Sequence, residues 1–295
     1  CRTCGDMLSS AWESEEKSHN MVNWADPKNN WMRSDIRGQI ADFQENQIEA
    51  EFAAAVERHA VEEVYWVGGE PLMYEQHWRY MQRIIELGDG GNLYARYNTN
   101  LSRVEYRGVN LYQDILCKIR DWQICASLDG TGQIGEYVRT GLSFSSFLVN
   151  FEQGLKYATN PRQMRLDFTL TLPGMFEIHN MEQLAQDLGV ELLAKVIFSF
   201  SPDIVMSPLA LPREILTPWV DEIYSGAKSQ VVRDMLTQLI NRPTFQEQWP
   251  DQWQAGLVKG KARILKLEQI RTQSMTMTDI LGQRSDVLEW WMQIA

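Results

Sequence analysis

Val64-Tyr65-Trp66-Val67-Gly68-Gly69-Glu70-Pro71 is a short β-rich run that stops at a double glycine. Tyr74 to Leu87 follows it, with Trp78, Met81, Ile84 and Ile85 at helical spacing. The same strand-then-helix pair recurs along the chain. Leu93 to Asn98 reads as a strand before a short helix at Leu111 to Ile119. Trp122 to Leu128 reads as a strand before a helix with Phe147, Phe151 and Leu155 in register. Met164 to Leu172 alternates polar and apolar residues, then Met181 to Leu188 reads as a helix and Leu192 to Phe200 as a strand. Ile48 to His59 is a helix ahead of the first run, and Gly5 to Asp35 reads as a long ordered loop. Units of this length imply a parallel sheet with right-handed crossovers. With a first strand just before Cys1, about six units result, an α/β fold of the partial (β/α)6 TIM-like barrel type.

After residue 201 the pattern changes to helices beginning at Leu211-Pro212-Arg213-Glu214, Val231 to Ile240 and Lys261 to Ile270. Residues 1–201 are therefore expected to form the barrel domain and 202–295 a C-terminal helical extension packed on it.

The chain ends of these strands carry the chemistry. Glu70 places a carboxylate at the mouth of the sheet, where α/β sites lie. The alternative is a tight turn followed by a helix with proline in its first turn. Alternation puts Gln123, Cys125, Ser127 and Asp129 on one side of their strand and Ile124, Ala126 and Leu128 on the other. In a barrel the polar set faces the lumen. By the same parity Asp167, Thr169 and Lys195 line the substrate side of the cavity. Asn98 binds a ligand or caps its turn. Arg139 offers a planar fork for a carboxylate, or a surface salt bridge. Cys1-Arg2-Thr3-Cys4 by itself reads as a zinc half-site, a redox dithiol or part of an iron–sulfur site. Cys117 is expected as a core thiol and Cys125 as a small core residue. His19, His59, His77 and His179 show no metal-ligand spacing and are expected at the surface.

The order Cys1-Arg2-Thr3-Cys4, Gly68-Gly69-Glu70-Pro71, Asn98-Thr99-Asn100, Ser127-Leu128-Asp129-Gly130 and Glu136-Tyr137-Val138-Arg139 resembles the radical S-adenosylmethionine (SAM) enzymes, in particular the twitch and SPASM-like branch. The resemblance covers about residues 1–201. It implies that Cys1 and Cys4 are the second and third cysteines of the C-x3-C-x2-C cluster motif, the first lying four residues before Cys1, outside this sequence. It assigns Gly68, Gly69 and Glu70 to the amino group of SAM, Ser127 and Asp129 to its ribose or carboxylate, Arg139 to its carboxylate and Asn98 to its adenine or ribose. The implied cofactors are a [4Fe–4S] cluster and SAM. The implied reaction is reductive cleavage of SAM and abstraction of a substrate hydrogen. A small-molecule or peptide substrate and a one-electron reductant such as flavodoxin or ferredoxin are the implied partners. With no cysteine after Cys125, a single cluster is expected. No catalytic side chain is assigned. Two other readings stay open: a SAM-binding scaffold without radical chemistry, and a zinc or redox protein built on Cys1 and Cys4.

Bulk properties agree with a globular enzyme. The 295 residues are 44% hydrophobic and 23% charged, with a formal net charge of -11. That balance argues against nucleic acid as a partner. No run of 18 apolar residues suggests a membrane span, and four cysteines do not make a disulfide framework, so a cytoplasmic protein without a membrane partner is expected.

Overall fold

The structure is a computed structural model that describes Arg2 and residues 10–295. The strands are β1 (Glu63–Trp66), β2 (Tyr94–Thr99), β3 (Glu105–Tyr106), β4 (Val109–Asn110), β5 (Asp121–Ser127), β6 (Met164–Leu170) and β7 (Glu191–Val196). Five of them share one sheet in the order β1–β2–β5–β6–β7, and the β1–β2 and β6–β7 pairs are parallel. The architecture is mixed α/β. The described residues pack as two compact units, one of residues 10–99 with Arg103–Ile124 and one of Arg2, Asn100–Ser102 and Cys125–Ala295.

In the first unit, Val64 pairs with Ala95 and Trp66 with Tyr97. Helix Glu75–Glu86 buries His77, Trp78, Tyr80, Met81 and Ile84, the stripe its 3.6-residue period dictates. Tyr97 and Trp66 meet this helix through edge-on contacts with the His77 ring, at centroid separations of 5.4 and 5.0 Å. The expected helix over Ile48 to His59 is the end of a longer helical stretch, Ser34–Phe43 and Ala50–Glu57, joined by a π-helical turn at Gln44–Glu49. The expected loop before Asp35 contains helix Ser10–Ser18 and a 3-10 turn at Pro27–Met32. Asp26 caps that turn by accepting the Lys28 amide, and Pro27 opens it, a local signal that the polar composition obscured. Leu111 to Ile119 is a π turn followed by a 3-10 turn. β3 and β4 form a hairpin whose two turn residues, Arg107 and Gly108, both have positive φ, as a two-residue hairpin turn requires.

In the second unit the alternation of β6 is realised. Leu166, Phe168 and Leu170 are buried, while Arg165 and Thr169 are half-buried. Helix Phe144–Leu155 buries Phe147 and Phe151, and helix Ile178–Leu188 buries Ile178, Met181 and Ala185. Ladder bonding of β7 runs one residue past its end, to the Ile197 amide on the Leu170 carbonyl. The remainder is helical: Arg213–Gly226, Gln230–Ile240, Phe245–Gln248, Trp253–Ile270, Met277–Leu281 and Ser285–Gln293. The stretch Asn241 to Trp253, loop-like by composition, holds a short helix fixed by a Thr244–Glu247 capping box.

Candidate functional site

At the end of β1 the chain turns through Gly68, whose φ of 109° is one that side chains rarely adopt. Glu70 is the next anchor. Its Oε1 accepts the Leu72 amide at 3.2 Å, capping the Pro71–Met73 turn, and the Thr99 hydroxyl at 2.5 Å. The turn-plus-proline alternative is thus realised, and the carboxylate is held at a defined point by two donors. Thr99 is the last residue of β2 and faces the buried side. Asn98 lies half-buried on the other side with Tyr94 and Arg96. The hydroxyl, not the neighbouring amide, is what meets Glu70, and period-two parity explains why.

In the second unit Cys125 and Ser127 sit on the half-exposed face of β5, as alternation required. Asp129 does not join them. It is 1% exposed, with its Oδ2 2.8 Å from Arg139 Nε and its Oδ1 accepting Arg139 Nη2 and the Thr169 amide, each at 3.1 Å. β5 ends at Ser127, so strand parity no longer governs residue 129. Two residues assigned separately to SAM therefore hold each other.

The turn beyond Asp129 is tightly built. A Cβ on Gly135 would lie 2.1 Å from the Gly130 carbonyl oxygen, so helix Gly132–Val138 starts in backbone contact with the turn. Glu177, 5% exposed, accepts the Thr131 amide at 2.7 Å and the Thr131 hydroxyl at 2.5 Å. The spacing Gly130-x-Gly132-x-x-Gly135, which the sequence reading passed over, is the local signal that could have marked this turn. Glu177 carried none.

Asp167, Thr169 and Lys195 do come together. Thr169 is registered opposite Lys195, and Lys195 Nζ donates to both Asp167 oxygens at 2.7 Å. Asp167 is 6% exposed and the Lys195 side chain about half exposed. Arg165 and Glu191 form a second cross-strand pair at 3.1 Å. This face of β6 and β7 is charged yet internally neutralised.

Cys1 and Cys4 lie outside the described residues. Among the described residues no cluster of three His, Cys, Asp or Glu side chains is placed to hold a metal ion. Two expectations need correction. Cys117 is exposed, its Sγ on the Gln113 carbonyl, because Leu116 and Ile115 turn inward around it. His77 is fully buried, Nε2 at 3.1 Å from the Tyr97 hydroxyl, and burial pushes its pKa down to about 3. It occupies the apolar stripe of its helix, and its polarity hid that position. His59 and His179 are exposed, in contact with Asp89 and Glu182.

Two clefts of the first unit are lined by none of the expected site residues. One of about 480 Å³ lies among Glu75, Trp78, Arg83, Tyr106 and Arg107. One of about 400 Å³ lies among Ile48, Phe52, Tyr65, Trp66 and Tyr80. No helix among the described residues is long and apolar enough to cross a membrane. No protein-family model, characterised protein or solved structure matches the chain.

Proposed function

We propose that this chain is the SAM-binding part of a radical SAM enzyme built on a partial (β/α)6 barrel. One observation carries the reading: the signature residues fall at the carboxyl ends of parallel strands. Glu70 follows β1, Asn98 and Thr99 close β2, Ser127 closes β5 and Thr169 nears the end of β6. Ligands of α/β folds bind at those ends.

The donor chemistry fits the cofactors in kind. As thiolates, Cys1 and Cys4 would suit iron, and Glu70 is a carboxylate suited to an ammonium group. When bound, the cluster and SAM supply one-electron cleavage and a hydrogen-abstracting radical. The chain's own residues bind and orient. Leu72 and Thr99 fix the Glu70 carboxylate before the ligand arrives. Asp129 aims the Arg139 guanidinium, the group proposed for the SAM carboxylate. Ser127 offers a half-exposed hydroxyl for the ribose. Asp167, Thr169 and Lys195 are proposed to face the substrate, which is a small molecule or a peptide. A flavodoxin- or ferredoxin-like reductant supplies the electron.

Anaerobic titration of SAM into the protein tests the reading. Micromolar binding that weakens about ten- to a hundredfold in Glu70→Gln agrees with it, the loss expected for a charge-assisted contact. Equal affinity in wild type and variant removes Glu70 from the site.

A further inference from the structure

His77 puts a titratable group where packing alone favours a hydrocarbon. It is fully buried, and a leucine or phenylalanine there would carry no cost of desolvating an imidazole. Its Nε2 lies 3.1 Å from the Tyr97 hydroxyl, and its Nδ1 has no hydrogen-bond partner among the described residues. A buried polar atom left unpaired points to a role beyond packing. The tautomer that frees Nε2 to accept carries its proton on Nδ1. Nε2 then takes the bond that Tyr97 donates, within the range for proton transfer. Burial holds the imidazole neutral, its pKa pushed down to about 3, so the accepting lone pair is available.

This pair belongs to a chain of rings. The His77 ring touches Trp78 at 5.0 Å and Tyr97 at 5.4 Å between centroids. Trp78 stacks on Tyr106 at 5.8 Å. Tyr106 lines the cleft of about 480 Å³, and its hydroxyl reaches Glu75 Oε2 at 3.5 Å. The inner end is Tyr97, 1% exposed, on the same buried face of β2 as Thr99. Two residues of strand separate them, roughly 7 Å. The Thr99 hydroxyl is the one that meets Glu70. Oxidisable rings therefore run from below the Glu70 turn to the surface. A phenol that loses an electron becomes a strong acid, so in a dry core its oxidation needs a base within reach. His77 is that base.

We propose that Tyr97 and His77 form a proton-coupled oxidation site, and that Trp78 and Tyr106 carry the oxidising equivalent from it to the surface. A one-electron oxidant removes an electron from Tyr97. The phenolic O–H bond breaks, the proton goes to His77 Nε2, and a neutral tyrosyl radical remains beside an imidazolium. An electron then passes from Tyr106 through the Trp78 ring to Tyr97, and His77 returns its proton to the Tyr97 oxygen. Tyr106 gives its own phenolic proton to the Glu75 carboxylate, which releases it to water. A thiol in solution restores Tyr106 by donating a hydrogen atom and becomes a thiyl radical. The sum is one electron moved from the thiol to the oxidant and one proton released. In a radical enzyme the relay drains stray oxidising equivalents from the Glu70–Thr99 contact. That protective role rests on the radical SAM reading, whereas the relay itself does not.

The test starts with the iron-free full-length protein carrying 3,5-difluorotyrosine at position 97. Photogenerated ruthenium(III) tris(bipyridine) is the oxidant, and freeze-quenched electron paramagnetic resonance the readout. A tyrosyl signal with fluorine splitting is expected, and tyrosyl signals lacking it overturn the site. His77→Gln keeps a hydrogen-bonding partner but no base, and the radical yield is expected to fall about tenfold or more. An equal yield overturns the role of His77. Should that variant unfold, the otherwise unsubstituted protein decides: slower radical formation in heavy water is expected, and equal rates overturn the proton transfer. Tyr106→Phe keeps the stack on Trp78 and is expected to lengthen the lifetime of the radical severalfold, while an equal lifetime overturns the relay. The protective role is read separately, in reconstituted protein given SAM and reductant. Oxidative damage to the peptides carrying Glu70 and Thr99, measured by mass spectrometry, is expected to rise severalfold in Tyr106→Phe. Unchanged damage overturns the protective role. Uncleaved SAM overturns that role and the radical SAM reading together, and the resonance spectra then decide the relay alone.

Discussion

Asp129 and Arg139 face each other across the turn after β5, the guanidinium Nε 2.8 Å from the buried Oδ2. The carboxylate also takes the Thr169 amide, so it ties the end of β5 to β6. Arg139→Ala leaves this carboxylate inside without its counter-charge. A loss of about 3 kcal/mol in unfolding free energy is expected, the low end for breaking a buried pair because the Arg139 side chain is 20% exposed. Urea unfolding checks this. A change below about 0.5 kcal/mol is what a surface pair would give, and it would show that the contact is not structural.

Glu70 caps its turn and is proposed to bind SAM, and one pair of substitutions separates the two. Glu70→Gln keeps an oxygen for the Leu72 amide and the Thr99 hydroxyl, so stability should change by less than about 1 kcal/mol. Glu70→Ala removes the cap and both bonds and should cost about 1–2 kcal/mol. Both should weaken SAM binding. If only Glu70→Ala does so, the carboxylate acts through the fold of its turn and not on the ligand.

His77 makes the first unit acid-sensitive. Its pKa falls from an ordinary 6.5 to about 3 in the fold because burial disfavours the imidazolium. Above pH 6.5 both folded and unfolded chains hold it neutral and the contribution is complete. Between about 6.5 and 3 the unfolded chain takes a proton that the fold refuses, so stability drops as pH falls, by up to about 1.4 kcal/mol per pH unit. Urea unfolding at pH 7, 6 and 5 should show that slope in wild type and a shallower one in His77→Gln. Parallel slopes in the two proteins would mean that His77 is protonated within the fold.

The turn after Asp129 should discriminate sharply between its glycines. Gly135→Ala drives a Cβ to 2.1 Å from a backbone oxygen, which cannot move aside as a flexible side chain can. A loss of about 3 kcal/mol or a failure to fold is expected. Gly132→Ala meets open space, and only its φ of 45° opposes a side chain, so about 1 kcal/mol is expected. Thermal unfolding of the two variants side by side would show equal losses if the helix start could shift away from Gly130.

Period-two patterns were the legible part. The half-buried set Cys125 and Ser127, the buried set Ile124 and Ala126, and the shared face of Thr169 and Lys195 all follow from period-two alternation. The readings failed where a strand stopped or a polar residue took an apolar post. Asp129 lies two residues past the end of β5, where backbone turn geometry decides direction. His77 fills a core position because Trp66, Trp78 and Tyr97 enclose its ring and Tyr97 meets its Nε2. Arg2 was invisible for a different reason. Its partners Tyr137 and Gln273 are remote in sequence, and no local period reports a contact between residues 2 and 273.

The central claim is the radical SAM reading, and one measurement reaches it directly. The full-length protein is reconstituted anaerobically with iron and sulfide, reduced, and supplied with SAM, and 5′-deoxyadenosine is quantified by chromatography alongside iron. About four irons per chain and 5′-deoxyadenosine that requires both SAM and reductant are predicted. Stoichiometric zinc in place of iron, or an iron-loaded protein that leaves SAM intact, would contradict the account.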